Sequence, residues 1–394
     1  MLKTQIYMLY FIQKQKNCIN MFNLRRRLMH ALKRFGTAFG GYKMMDNYPE
    51  PVCGPEDIII EIRAAAICGA DMKHWQVDTG YDDTNIPAEE QQSVRGHEFA
   101  GEIIKVGENV TDWHVGQRVV SDNSAHVCGI CPACEKGDFL CCEQKVNLGL
   151  DNNIWGGGFA KYCKIPGEIL RIHKHAIWEI PENVKYEEAC VLDPICNAYK
   201  ALAQQSHLIP GQDVVIFGTG PLGLFSVQIA KLMGAINIVM IGLEEDVKVR
   251  FNVAKELGAT HCVNGSTEDV VARCTEICGR DNLGLVIECS GANIALKQAL
   301  EMTRPNAEIV RVGMGFKPLE FSINEITSWN KSIIGHMAYD STSWRNCIRL
   351  LEAGMIKVQP MITHRLGLSE WEKGFSAMAS KEAIKVIFTY DYAD

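Results

Sequence analysis

Residues 213 to 223 limit the possible folds of this chain more than any other stretch. Asp213-Val214-Val215-Ile216-Phe217 reads as a buried strand, and Gly218-Thr219-Gly220-Pro221-Leu222-Gly223 follows it at once. Leu222, Phe225, Ile229 and Leu232 then recur at intervals of three and four, the spacing of one helix face. A G-x-G-x-x-G string alone is weak, because 34 glycines make chance matches easy. Between a strand and a helix it has a mechanism. The first glycine permits a tight turn, the second lets the backbone approach a pyrophosphate, and the third lets helix and strand close up. The helix N-terminus then offers free N–H groups to phosphate. Strands at Asn237 to Ile241, His261 to Val263, Val286 to Cys289 and Ile309 to Val312 continue the alternation with helices, one ending at Gly258. That order predicts an α/β unit, a doubly wound parallel sheet with helices on both faces.

The texture before Pro210-Gly211-Gln212 is different. Residues 57 to 67 begin with Asp57-Ile58-Ile59-Ile60-Glu61-Ile62, β-branched enrichment typical of a strand. Short strands bounded by glycine, including Gly101 to Val106 and Gln117 to Ser121, continue to about residue 180, so this half reads as all-β with inserted loops. Residues 1 to 28 stand apart: Ile6 to Ile12 is a short apolar run and Arg25-Arg26-Arg27 follows it, without the flanks of a signal peptide. The folded unit is expected to begin near Met29, with the leader an extension or a misplaced start. No internal repeat is evident.

Composition narrows the function. Lys plus Arg number 40 against 47 for Asp plus Glu, a formal charge of −7, and no basic face for nucleic acid is implied. No apolar run approaches the ~20 residues that span a bilayer. Sixteen cysteines would suggest a disulfide framework in a small secreted chain. Here Cys163, Cys190, Cys262 and Cys289 sit in apolar stretches as free thiols do, which points to a reducing compartment, the cytoplasm.

Four cysteines have another pattern. Cys128, Cys131, Cys134 and Cys142 give C-x2-C-x2-C-x7-C on a polar loop, the density of a closed tetrahedral site that suits structural Zn²⁺. The C-x3-C-P ending of a bacterial iron–sulfur run is missing. Cys141 is the alternative fourth ligand; Cys142 is preferred. Two weaker motifs, Cys68-Gly69-Ala70-Asp71 and Gly96-His97-Glu98, gain force when taken with Asp193-Pro194. Together they supply a thiolate, an imidazole and carboxylates, and three protein ligands with an open position is the pattern of catalytic zinc. Such an ion lowers the pKa of a bound hydroxyl, and the alkoxide can release hydride to a nicotinamide. On the nucleotide side, an acid after the second strand would take the adenosine ribose. Glu244, Glu245 and Asp246 are there, but Lys248 and Arg250 follow and could hold a 2′-phosphate. The acids tilt the reading towards NAD over NADP.

With these pieces in place, the chain from about Met29 to Tyr392 resembles the zinc-dependent medium-chain dehydrogenase/reductase family, nearest its polyol (sorbitol-like) and threonine dehydrogenase branches. The matching residues are Cys68-Gly69, Gly96-His97-Glu98, the four-cysteine lobe, Asp193-Pro194, the glycine turn and Ile362-Thr363-His364-Arg365. The resemblance implies a GroES-like β-rich catalytic domain over 29–194, with its structural-zinc lobe at 122–145. A Rossmann domain over 195–334 interrupts it, and 335–394 returns to the first domain. It implies two Zn²⁺ per subunit: one on Cys68, His97 and Glu98 with Asp193 as fourth or exchangeable ligand, the other on Cys128, Cys131, Cys134 and Cys142. NAD or NADP would meet Gly218, Gly220, Pro221, Leu222, Gly223, Glu244, Arg250, Gly291, Val312 and Gly313. A homodimer or homotetramer is expected, with no nucleic-acid or membrane partner.

Three departures matter. Ala70 stands where the family places the Ser or Thr that begins its proton relay, and Lys73 replaces the relay histidine, with His74 beside it. Proton release would then use water alongside Glu98, or Lys73 itself with a lowered pKa. Met337-Ala338-Tyr339 stands where polyol members carry a substrate-site Arg. The expected reaction is oxidation of a secondary alcohol of a polyol or sugar by NAD(P)⁺. Threonine is the alternative, favoured by Asp193-Pro194 with Asn197-Ala198. A catalytically silent zinc- and nucleotide-binding protein is the reading from another class.

Overall fold

An isoleucine-rich stretch with apolar side chains on both faces belongs between two layers. In the structure, a computed structural model, Ile58–Ala66 lies inside a seven-stranded sheet, with Ile58, Ile60 and Ile62 fully buried. The structure describes residues 27–35, 41–76, 93–151, 153–315 and 317–390; all but Arg27 and Leu28 of the expected leader lie outside them. The strand order in that sheet is Ile177–Glu179, Arg118–Ser121, Glu98–Val106, Ile58–Ala66, Lys385–Thr389, Ile362–Gly367, and Tyr162–Ile165 also pairs with Ile58–Ala66. The last two strands of the order come from the far end of the sequence. A second layer, Tyr42–Pro49, Leu28–Arg34 and Ser93–Val94, packs nearby. Phe159 meets Phe375 and Phe388 edge-on at the centre of this half.

The parallel sheet has the order His261–Asn264, Ile238–Gly242, Val214–Phe217, Leu285–Glu288, Glu308–Arg311, Ser332–Gly335, every neighbour parallel. Val214 and Ile216 pack with Leu224 and Phe225 of the helix Pro221–Leu232, while Val215 and Phe217 pack with Val270, Cys274, Leu296 and Ala299 on the other side. Side chains alternate across a strand, so both faces are apolar and both carry helices. The order reverses between Val214–Phe217 and Leu285–Glu288, which opens a crevice at the carboxyl ends of those strands.

The two sheets share a core. Ala64, Ala66 and Ala100 of the first belong to the same buried cluster as Val214, Ile216 and Leu224 of the second. The link is the helix Leu192–Tyr199, extended by a π-helical turn over Lys200–Gln205, which buries Ile195, Cys196, Ala201 and Leu202. Trp344 and Cys347 of Ser341–Glu352 pack on it. Among the described residues no helix is long and apolar enough to cross a membrane.

Candidate active site

The strand Ile58–Ala66 delivers Cys68 two residues beyond its end, and the antiparallel strand Glu98–Val106 begins beside it, with Ala66 opposite Glu98. Three donors separated in sequence therefore meet: the ligating atoms of Cys68, His97 and Glu98 lie within 4.8 Å of one another. Burial pushes the Cys68 thiol up, while His97 beside it pulls it down. Burial also works against a charged His97, yet Cys68 and Asp71 outweigh it and hold the ring well above its ordinary pKa. A pocket that charges its own histidine is one that favours a cation.

The surrounding groups fit that demand. Glu98 Oε1 is buried without a hydrogen-bond partner, as a donor atom awaiting an ion is. Asp71 is buried, accepts the Cys68 N–H at 2.9 Å and lies 3.8 Å from His97 Nδ1. It is placed as the carboxylate that orients a metal-binding imidazole. Glu98 pairs with Lys385 from the C-terminal strand, whose ammonium also donates to the Ile67 carbonyl at 3.0 Å. Both are almost fully enclosed, at 1% and 3% exposure.

Asp193 lies outside this group of three donors. Asn197 Nδ2 donates to its Oδ1 at 2.9 Å, while Asn123 Nδ2 at 3.2 Å and the Tyr339 hydroxyl at 2.9 Å reach Oδ2. Burial raises the Asp193 carboxyl to about 6. Asp193, expected as fourth or exchangeable ligand, is thus held by hydrogen bonds beside the three donors, one of them from Tyr339 of the Met337-Ala338-Tyr339 stretch. Lys73 turns towards the nucleotide side. Its ammonium donates at 2.8 Å to the Met314 carbonyl, in the loop after Glu308–Arg311, and burial lowers its pKa. That bond links the helix Gly69–Gln76 to the nucleotide-side loops.

The lobe places the sulfurs of Cys128, Cys131, Cys134 and Cys142 within 4.8 Å of one another, whereas Cys141 is exposed beside them. Backbone N–H groups of Ile130 and Cys131 bring the Cys128 thiol down to about 7. Four sulfurs converging in this way, one already inclined to ionise, form the donor set of a tetrahedral ion.

At the switch-point crevice Gly218 adopts φ +99° and Pro221 opens the helix. A Cβ on Gly223 would stand 1.9 Å from the Gly218 carbonyl, so helix and turn touch there only because the residue is glycine. Gly291, at φ +74°, packs on the Met314 loop so closely that its Cβ would lie 2.4 Å from the Met314 carbonyl, while Val312 and Gly313 both donate to the Glu288 carbonyl at 2.8 Å. Glu244 is exposed just past Ile238–Gly242, its carboxylate held by Asn264 at 2.6 Å. Arg250 differs from the expectation of a phosphate ligand: its guanidinium turns into the protein, donating to the Ala383 carbonyl at 2.8 Å and facing Asp246 at 3.5 Å.

Sequence reading missed Asp71, Lys385 and Asn123. Asp71 had a signal, its place three residues after the ligand cysteine. Lys385 had a fainter one, a lysine at the head of the apolar run Val386-Ile387-Phe388.

The antiparallel sheet with its three-donor site, joined to a parallel sheet with a dinucleotide crevice, defines a metal-dependent dehydrogenase class, and the comparisons agree. Residues 54–174 match the alcohol dehydrogenase GroES-like domain, and residues 221–353 match the zinc-binding dehydrogenase domain. The chain belongs to the zinc-dependent medium-chain alcohol dehydrogenases, oxidoreductases that use NAD(P). It is 75% identical over 92% of its length, and 99% of the relative's, to an uncharacterised zinc-type alcohol dehydrogenase-like protein of Escherichia coli (strain K12). It is 31% identical to a sorbitol dehydrogenase of Halalkalibacterium halodurans and 31% to an L-threonine 3-dehydrogenase of Pectobacterium carotovorum, each over 89% of this chain and 96% of the relative. Among solved structures, a zinc-binding dehydrogenase of Sinorhizobium meliloti bound to NADP superposes with a TM-score of 0.79 at 26% identity, covering 93% of this chain and 100% of that one.

Proposed function

We propose that this chain is a cytoplasmic enzyme that interconverts a secondary alcohol of a polyol or sugar with the ketone, coupled to NAD(P), as a homodimer or homotetramer. The observation that carries the reading is the convergence of Cys68, His97 and Glu98 donor atoms within 4.8 Å, beside a helix whose Lys73 reaches the nucleotide-side loops. Cys68, His97 and Glu98, with Asp193 adjacent, would hold one zinc ion, and Cys128, Cys131, Cys134 and Cys142 a second. Bound zinc would supply Lewis acidity that makes a substrate hydroxyl a better proton donor.

The chain's own groups do the rest. Asp71 faces the His97 ring, Lys385 pairs with Glu98 and holds it in place, and Asn123, Asn197 and Tyr339 orient Asp193. Ala70 offers no hydroxyl to a relay, so the proton leaves through water alongside Glu98 or through Lys73. Glu244 at the ribose end, with Arg250 turned inward, supports NAD over NADP, because a carboxylate there repels a 2′-phosphate.

A second reading, threonine oxidation at carbon 3, is favoured by the Asp193–Asn197 pair; the Met337-Ala338-Tyr339 stretch, where polyol members carry an arginine, weighs against sorbitol. Metal-replete protein, assayed for nicotinamide absorbance with polyols, sugars and threonine and with each cofactor, separates the two by product, ketose or aminoketone. No turnover with any alcohol would leave the silent zinc- and nucleotide-binding reading standing.

A further inference from the structure

The helix Gly69–Gln76 has two distinct faces. Trp75 packs edge-on against Phe375 at 5.6 Å and Met72 is buried, which anchors one face in the catalytic half. Ala70, Lys73 and His74 follow each other at helical spacing on another face. Lys73 reaches Met314 from there, so this face looks onto the cleft between the sheets.

Positive charge gathers behind that face. Arg34, from Leu28–Arg34, donates at 2.7 Å to His74 Nδ1, which leaves the ring proton on Nε2 and makes His74 a neutral donor. Burial, Arg95 and Arg34 push the His74 pKa down to about 3. Arg95 lies two residues before His97 and is only 5% exposed. One of its nitrogens donates to the Leu150 carbonyl, and its Nε has no partner. Among the described residues no carboxylate pairs with it. Glu98 pairs with Lys385, Asp193 is wrapped by Asn123, Asn197 and Tyr339, and Asp71 serves the Cys68 N–H and faces His97. A guanidinium cannot shed its proton to escape burial; Asp71 meets its field among the described carboxylates, and the buried, unpartnered Nε leaves a charged donor that an anion can satisfy.

We propose that the substrate is an anionic secondary alcohol, a polyol or sugar bearing a carboxylate or phosphate, and that Arg95 receives the anionic end, with Arg34 and His74 beside it. The inference rests on the reading of Cys68, His97 and Glu98 as the site of alcohol oxidation. Two residues of chain separate Arg95 from His97, at most ~7 Å of backbone. A hydroxyl at the metal donors and an anion at the guanidinium thus fit one short carbon chain.

The test compares sorbitol, D-gluconate and sorbitol 6-phosphate as substrates of the zinc-loaded enzyme. The parent is expected to show at least a tenfold higher kcat/KM for one of the two anionic probes than for sorbitol, and whichever leads identifies the anion. In Arg95→Gln that ratio should fall towards one, mainly through KM, while Arg95→Lys retains most of it. A parent ratio of one or less, or a ratio unchanged in Arg95→Gln, overturns the inference without touching the alcohol reading. If no alcohol turns over, the alcohol reading fails, and calorimetric titration of the zinc-loaded protein with gluconate and with inorganic phosphate decides the anion site by itself. Binding lost in Arg95→Gln supports it; no binding, or equal binding, refutes it. Should Arg95→Gln fail to fold, the parent ratio and the Arg95→Lys variant still decide between an anionic and a neutral substrate.

Discussion

Replacing Lys385 by Met tests how the buried pair with Glu98 is maintained. Both partners are almost completely enclosed. Removing one member of such a pair leaves an uncompensated charge, at ~3–5 kcal/mol. The Ile67 carbonyl also loses its donor, for ~1–3 kcal/mol more. These terms overlap, so metal-free protein should lose about 5 kcal/mol of stability. Burial alone would lower the Lys385 pKa, but Glu98 and Cys68 outweigh it and raise it above 10.5. The pair's contribution is therefore complete below that value and is lost only as pH rises through the raised pKa, so measurement at pH 7 sits on the plateau. Zinc changes the outcome, because a cation on Glu98 takes over the missing charge. If about half the loss is recovered, the variant's apparent affinity for that ion should rise on the order of a hundredfold, since each ~1.4 kcal/mol is a factor of ten. Urea unfolding with and without chelator, together with chelator competition for zinc, measures both quantities. A metal-free midpoint that does not move, or an equal loss with and without zinc, would refute the reasoning.

Cys131→Ser should release the lobe's metal and cost several kcal/mol, as loss of a structural zinc does; unchanged zinc content and melting temperature would count against the lobe. In Gly223→Ala the new methyl would sit 1.9 Å from the Gly218 carbonyl, so the turn must open, and fluorescence titration should show NADH binding at least ten times weaker with zinc content intact. His336 is held neutral at about 4 by burial and by Lys200. Its native form binds fewer protons than the unfolded chain between pH 6.5 and 4, so stability present above 6.5 is lost as pH falls, by up to ~3 kcal/mol. His336→Gln should flatten that part of the stability–pH curve, and an identical slope in the variant would exclude the residue.

The parts of this molecule that local pattern dictates were readable from sequence. The glycine turn is a contiguous string between a strand and a helix, and the lobe cysteines fall within 15 residues on one loop. Cys68 and His97-Glu98 were harder, because antiparallel pairing of their strands, with Ala66 opposite Glu98, brings them together. The contacts of Asp193 were not readable at all. Its three donors come from a loop near the lobe, from its own helix and from residue 339, and only packing of the two sheets on a shared core unites them. Arg250 makes the same point in reverse: its sequence position suggested a phosphate ligand, but tertiary contact with Asp246 and the Ala383 carbonyl claims its guanidinium.

The strand Lys385–Thr389 lies between Ile58–Ala66 and Ile362–Gly367, although the whole parallel sheet separates it in sequence from its first neighbour. On the ribosome, Cys68, His97 and Glu98 therefore emerge long before the lysine that Glu98 needs. At ~5–20 residues per second the delay is on the order of tens of seconds. During that interval the nascent amino-terminal half has an unfinished sheet and an unneutralised carboxylate, so this half cannot mature on its own. Maturation of the reactive centre is thereby tied to completion of the nucleotide-binding half, and a polypeptide stalled between the two would be a target for chaperones and proteases.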